Sequence, residues 1–196
     1  VGSEMCIRDS YEAVTKIRSK LEANITFIGF AGSPWTVATY MIEGKGSKDH
    51  IKTKTFMLNY PEVFKKLIVK IQDATIEYLS KQIEGGVDVI KLFDSWANSL
   101  PATYIEKYSL EPMKVIAKEI KKRFPKIPVI VFPRGIGPMY KKFAMVKEFD
   151  CVAVDSSIDL DWAKKNIQKE KVIQGNLDPA FLISAGKELV KNHLNI

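Results

Sequence analysis

Five residues of this 196-residue chain stand where side-chain chemistry is expected. Asp94, Ser95, Arg134 and Asp155 each follow closely on a short run of apolar and β-branched residues, and Tyr40 lies in a helix-like segment behind another such run. A carboxylate at a strand end can serve as acid or base, or it can anchor local hydrogen bonds, and for Asp94 and Asp155 both readings stand. Arg134, alone among the arginines in ending a strand, suits a carboxylate through its planar fork of donors; a salt bridge to a neighbouring aspartate is the competing reading. Tyr40 and Ser95 are neutral hydrogen-bond donors, and their spacing alone assigns them no function. His50 and His193 stand far from Cys6 and Cys151, with none of the spacings that hold a metal. We place His50 in a polar loop and His193 on the surface near the chain end.

The runs that would position these groups are Ile25–Phe30, Val87–Phe93, Pro128–Phe132, Cys151–Asp155 and Lys171–Gln174. Each is nearly continuous rather than alternating, as in strands of a parallel sheet buried on both faces. Apolar residues at three- and four-residue spacing predict helices over Pro61–Glu84 and Glu111–Phe124, with shorter ones over Pro138–Phe149 and Asp159–Gln168 and a last one starting at Asp178-Pro179. Strand and helix therefore alternate, which defines an α/β protein with a parallel sheet. No GxGxxG or GxxxxGK[ST] loop follows any strand, while every strand end carries polar or small residues. This favours a (β/α)8 TIM barrel, whose strand ends converge on one face. Eight strands take about 250 residues and five are counted, so either the sheet is open or the chain covers an incomplete barrel of about five parallel strands.

Composition narrows the classes further. The net charge of +7 comes from lysines scattered over amphipathic helices, without an arginine-rich arm or an aromatic nucleic-acid motif, so no nucleic acid is expected. A basic surface suits an anionic small molecule. Two cysteines exclude a disulfide framework and make a reducing cytoplasm the default, and no apolar run approaches the ~18 residues of a membrane span. Residues 1–10 are neither a signal peptide nor a convincing element and are expected to be unstructured or foreign to the fold, leaving 11–196 as the domain.

The stretch Gly29-Phe30-Ala31-Gly32-Ser33-Pro34-Trp35-Thr36-Val37, continued by Tyr40 and Glu43-Gly44, resembles a signature of the uroporphyrinogen decarboxylase family. The likeness extends through Gly86–Ala97, Val131–Gly135, Val154-Asp155 and Gln174–Pro179 and spans essentially Tyr11 to Ile196. It implies a cofactor-free (β/α)8 barrel that removes carbon dioxide from the four acetate side chains of uroporphyrinogen III, giving coproporphyrinogen III. A carbon-protonated, cationic pyrrole serves there as the electron sink. It further implies that Tyr40 and Ser95 bind substrate carboxylates, that Phe30 lines the cleft, that Arg134 and Asp155 are additional cleft residues, and that the protein is a cytoplasmic homodimer.

The chain departs from the family pattern at both ends. The arginine-containing N-terminal stretch, the strand bearing the pyrrole-contacting aspartate and the final histidine-containing stretch have no counterpart. The resemblance thus implies a partial copy whose principal catalytic groups lie outside the chain. Such a copy is expected to be inactive and poorly soluble alone, with raw sheet edges. Two other readings are a zinc-dependent corrinoid- or coenzyme-M-type methyltransferase, for which the His-x-Cys pair is missing, and a non-catalytic tetrapyrrole-binding relic.

Overall fold

The computed structural model describes residues 2–184. A helix, α1 (Gly2–Arg18), is followed by β1 (Ile28–Gly32), α2 (Pro34–Glu43), α3 (Ile51–Asn59), α4 (Pro61–Glu84) and β2 (Val89–Asp94). Next come α5 (Ala102–Ile105), a π turn (Glu106–Leu110), α6 (Glu111–Arg123), β3 (Val129–Pro133) and α7 (Tyr140–Ala144). The chain closes with β4 (Cys151–Ala153), α8 (Leu160–Asn166), β5 (Val172–Gln174) and α9 (Pro179–Ser184). Among the described residues no helix is long and apolar enough to cross a membrane.

The five strands form one parallel sheet in the order β1-β2-β3-β4-β5, each beside its neighbour in the chain. Ile90 and Leu92 on β2, and Val129 and Val131 on β3, point to one face and are fully buried in the main core with Phe64, Leu79, Met113, Ile116, Ile120, Tyr140 and Phe143 from the helices. The other face carries Val89, Ile130, Phe132, Cys151 and Ala153 as a separate, smaller cluster, and Phe30 there is 61% exposed. Sequential strand order with helices packed on one face is the arrangement of a barrel arc; a doubly wound sheet reverses its order and covers both faces. The sheet is curled: Lys91 on β2 donates to Gln174 on β5 at 2.7 Å, three strands away, where a flat sheet would separate the strands by ~14 Å.

Local sequence explains the boundaries. Pro34 and Pro61 sit in the first turns of α2 and α4, where a missing N–H is harmless. Gly44 (φ 71°) ends α2 in the left-handed conformation, returning its N–H to Tyr40. Asp159 caps α8 by accepting from the Trp162 N–H at 2.7 Å. Glu111 sends its N–H to Glu106, giving the wide turn ahead of α6. Pro112 supplies the cause, because it has no N–H for the Tyr108 carbonyl and its ring would crowd that oxygen in a regular helix.

Several elements differ from the sequence expectation. Residues 2–10, expected to be unstructured or foreign to the fold, form the first half of α1, since no proline or glycine interrupts residues 3–18. Farther along, Tyr11 packs on Tyr78 with ring centroids 5.9 Å apart, and Arg18 pairs with Asp88 at 3.1 Å. β1 begins at Ile28 rather than Ile25, where pairing with Val89 starts. The helix expected over Pro138–Phe149 contracts to a short 3-10 turn and α7, because residues 145–149 turn back towards β4. α3 and α5 were not expected at all. His193 lies outside the described residues.

Candidate functional site

Parallel strands place all their carboxyl ends on one side, and there the sequence-predicted residues gather in two groups. The first lies behind β1 and β2. Asp94 ends β2 with its carboxylate wholly buried, accepting from Thr36 Oγ1 at 2.6 Å and from Ser109 Oγ at 2.5 Å. Thr36 belongs to α2 and Ser109 to the π turn, so one carboxylate ties two helical segments to the strand end. Burial pushes the Asp94 pKa up, against the pull of the Ser109 and Thr36 hydroxyls. The segment after it is fixed as well: the Trp96 N–H donates to Thr36 Oγ1 at 3.3 Å, and Trp35 Nε1 donates to the Trp96 carbonyl at 3.0 Å.

This frame presents Ser95 and Tyr40. Ser95 is half-buried between the anchored residues 94 and 96, and among the described residues its hydroxyl has no hydrogen-bond partner. Tyr40 projects from α2, 52% exposed, with its ring edge-on to Trp96 at 6.3 Å. Its phenol likewise has no partner among the described residues. Both donors are held in place by neighbours and left open at their tips.

His50, expected in a polar loop, is instead buried, in a left-handed conformation (φ 51°) just before α3. Its ring packs 4.9 Å from Trp96, and burial lowers its pKa despite the nearby Glu43 carboxylate. Glu43 accepts from the Thr53 N–H and Thr53 hydroxyl at 3.0 and 2.9 Å; these bonds hold its pKa down against partial burial. The loop between α2 and α3 is thus folded back onto the site rather than free.

Phe30 lies on the concave face of β1, edge-on to Phe93 at 5.8 Å, and Phe93 is edge-on to Phe132 at 6.0 Å. The backbone of Phe30 is held at the sheet edge by a side chain acting as a missing strand. Gln82 Oε1 accepts from its N–H at 2.9 Å, and Gln82 Nε2 donates to its carbonyl at 3.0 Å. Gly29 permits this approach, because a Cβ there would stand 2.5 Å from Gln82 Oε1. An open groove of about 770 Å³, lined by Tyr11, Phe30, Gly32, Met41, Leu67 and Tyr78, runs along this edge.

The second group lies behind β3 and β4. Asp155 accepts from the Gly135 N–H at 2.7 Å, Tyr140 OH at 2.7 Å and the Ser157 N–H at 3.1 Å, and from the Ser157 hydroxyl in a short contact. Partial burial raises its pKa, but the Ser157, Tyr140 and Gly135 bonds outweigh this and hold it low; burial and the Asp155 charge push the Tyr140 phenol far up. Of the two readings of Asp155, the geometry supplies the anchor, which locks the β3 and β4 turns together. Arg134 is exposed and, among the described residues, pairs with no carboxylate, contrary to the salt-bridge reading. Beyond β5, Gly175 (φ 115°) admits no side chain, since a Cβ would lie 2.3 Å from the Val154 carbonyl. Among the described residues no group of three or more metal-ligating side chains comes together.

An arc of a (β/α)8 barrel with hydroxyl and guanidinium donors on its carboxyl-end face is the class that fold and site define. The sequence profile described as "Uroporphyrinogen decarboxylase (URO-D)" matches residues 4–195. Uroporphyrinogen decarboxylase of Rhodobacter capsulatus is 50% identical over 182 residues, covering 92% of this chain and 53% of that protein. That of Paracoccus denitrificans (strain Pd 1222) is 48% identical over 180 residues, again 92% and 53%. Among solved structures, a methyltransferase from Methanosarcina mazei superposes with a TM-score of 0.70 at 18% identity, over 85% of this chain and 47% of that one, a likeness of fold alone. The chain belongs to the uroporphyrinogen decarboxylase family, and it spans about half the length of the curated relatives it matches.

Proposed function

We propose that this chain supplies one wall of the cleft in which a uroporphyrinogen decarboxylase holds its polycarboxylate tetrapyrrole. The observation that carries the reading is the pair of open hydroxyls, Ser95 and Tyr40, set on a rigid frame at the carboxyl end of a parallel sheet. Neutral donors of this kind bind a carboxylate without neutralising it, and a charge-assisted bond is stronger than a neutral one. Phe30 and Phe93 offer the apolar floor for the pyrrole rings, and the unpaired Arg134 reaches the substrate's acidic rim.

Decarboxylation in this reading follows protonation of a pyrrole carbon. The acetate C–C bond breaks, its electron pair enters the cationic ring and carbon dioxide leaves; a proton then completes the methyl group, and the ring carbon releases the proton it had gained. The contribution of Tyr40 and Ser95 is orientation: each holds a substrate carboxylate while the ring chemistry proceeds. Dimerisation through a second copy of the chain belongs to the same proposal.

The test is the intact protein carrying Tyr40→Phe or Ser95→Ala, assayed for coproporphyrinogen formation. Each should lower kcat/KM about ten- to a hundredfold, the loss expected for one hydrogen bond to a charged group, with the unfolding midpoint unchanged. Wild-type rates in both variants would sink the assignment.

A further inference from the structure

Among the described residues, Lys91 is the one side chain of the concave sheet face whose charge no carboxylate balances. Ile90, Leu92 and Asp94 of β2 turn to the buried helical side, so Val89, Lys91 and Phe93 turn to the concave one. The register sets Lys91 beside Phe30 on β1 and Ile130 on β3, with Cys151 next across on β4. An ammonium group in an apolar wall is costly, and desolvation lowers its pKa. Yet the side chain rises towards the strand ends, with Nζ 4.7 Å from the Phe93 ring centroid and 5.3 Å from that of Phe132. Gln174 Oε1, across the concave face, accepts one of its protons at 2.7 Å.

That leaves two of the three N–H donors unused, and among the described residues no carboxylate pairs with Lys91. Two aromatic faces and one neutral acceptor orient the ammonium without cancelling its charge. Its Cα lies level with Phe30 and one layer below Phe93 and Phe132, and its Nζ reaches up to those two rings in the floor of the cleft. Resting on the reading above that this cleft takes a polycarboxylate tetrapyrrole, we propose that Lys91 binds a carboxylate of the substrate from the floor of the cleft, complementing the hydroxyl donors at its rim. The incoming carboxylate supplies a counter-ion that no described residue provides. Gln174 keeps the ammonium upright over β2 rather than folded along the wall.

Lys91→Met tests this, because methionine fits the apolar wall and removes only the charge; Lys91→Gln serves equally should the first variant fail to fold. The probe is uroporphyrin, the oxidised octacarboxylate ring, titrated by fluorescence into the intact protein at low and high salt. Substitution should weaken binding about ten- to a hundredfold and flatten its salt dependence, with KM rising more than kcat falls. Lys91→Arg should retain much of the affinity. Tight binding of uroporphyrin by Lys91→Met, with the wild-type salt dependence, would overturn the assignment and leave the cleft reading intact. Failure of the wild-type protein itself to bind uroporphyrin would overturn the cleft reading first.

Discussion

Asp94 and Asp155 end or follow parallel strands two places apart, and their surroundings drive them in opposite directions. Asp94 is completely buried with two hydroxyl donors, and burial wins, so its pKa rises. Asp155 is part-exposed with four donors, two of them backbone N–H groups, and hydrogen bonding wins, so its pKa falls. Both tie neighbouring loops together. The difference teaches that a strand-end aspartate serves as an anchor by either route.

Asp94→Ala is the strongest way to break the comparison. It strands two buried hydroxyls and should cost about 2–4 kcal/mol, measured by denaturant unfolding. Asp94→Asn keeps partners for both hydroxyls, which can donate or accept, and should cost only about 1 kcal/mol. A raised folded-state pKa means that Asp94 favours the fold below its ordinary pKa, a contribution lost as pH rises through the raised value. The Asn variant should therefore lose less stability than wild type between pH 4 and 7. A larger loss would show that Asp94 is held as the anion.

Tyr140→Phe is the next probe. It keeps the buried ring and removes one donor to Asp155, costing about 1 kcal/mol at pH 7. Here the sign is reversed: a lowered folded-state pKa gives stability that is present above the ordinary aspartate value and disappears as pH falls through the depressed one. The gap in unfolding temperature between Tyr140→Phe and wild type should be widest at neutral pH and shrink below about pH 4. A gap independent of pH contradicts the anchor role. The smallest structural effect belongs to Arg134→Gln, within about 0.5 kcal/mol of wild type, because no partner is lost. Its uroporphyrin affinity should nevertheless fall, and most at low salt.

The sheet was readable in the sequence because continuous apolar runs have few other uses, and Pro61, Gly85 and Asp159 mark helix ends by local geometry. The strand-end positions of Ser95, Arg134 and Asp155 followed from the same runs, and that of Tyr40 from the helix-like segment behind the first. What they do there was not readable. Whether Asp155 is an anchor depends on Tyr140 and Ser157, whose approach no spacing predicts. Asp94 depends on Ser109, which a regular helix would turn elsewhere. Lys91 did leave a signal, a charge inside an apolar strand. Its meaning waited on Gln174, 83 residues later, being brought across the curl of the sheet. His50 was misplaced because its neighbours are polar, whereas burial is decided by Trp96.

The π turn before Pro112 has a consequence for how this part of the gene tolerates change. A regular helix advances about 100° per residue, so one residue fewer within 106–110 would swing Ser109 away from Asp94 while leaving the apolar stripe of α6 in register with itself. Substitutions on the exposed face of α6 leave the Ser109–Asp94 contact untouched, whereas the length of the turn before it decides whether that contact forms.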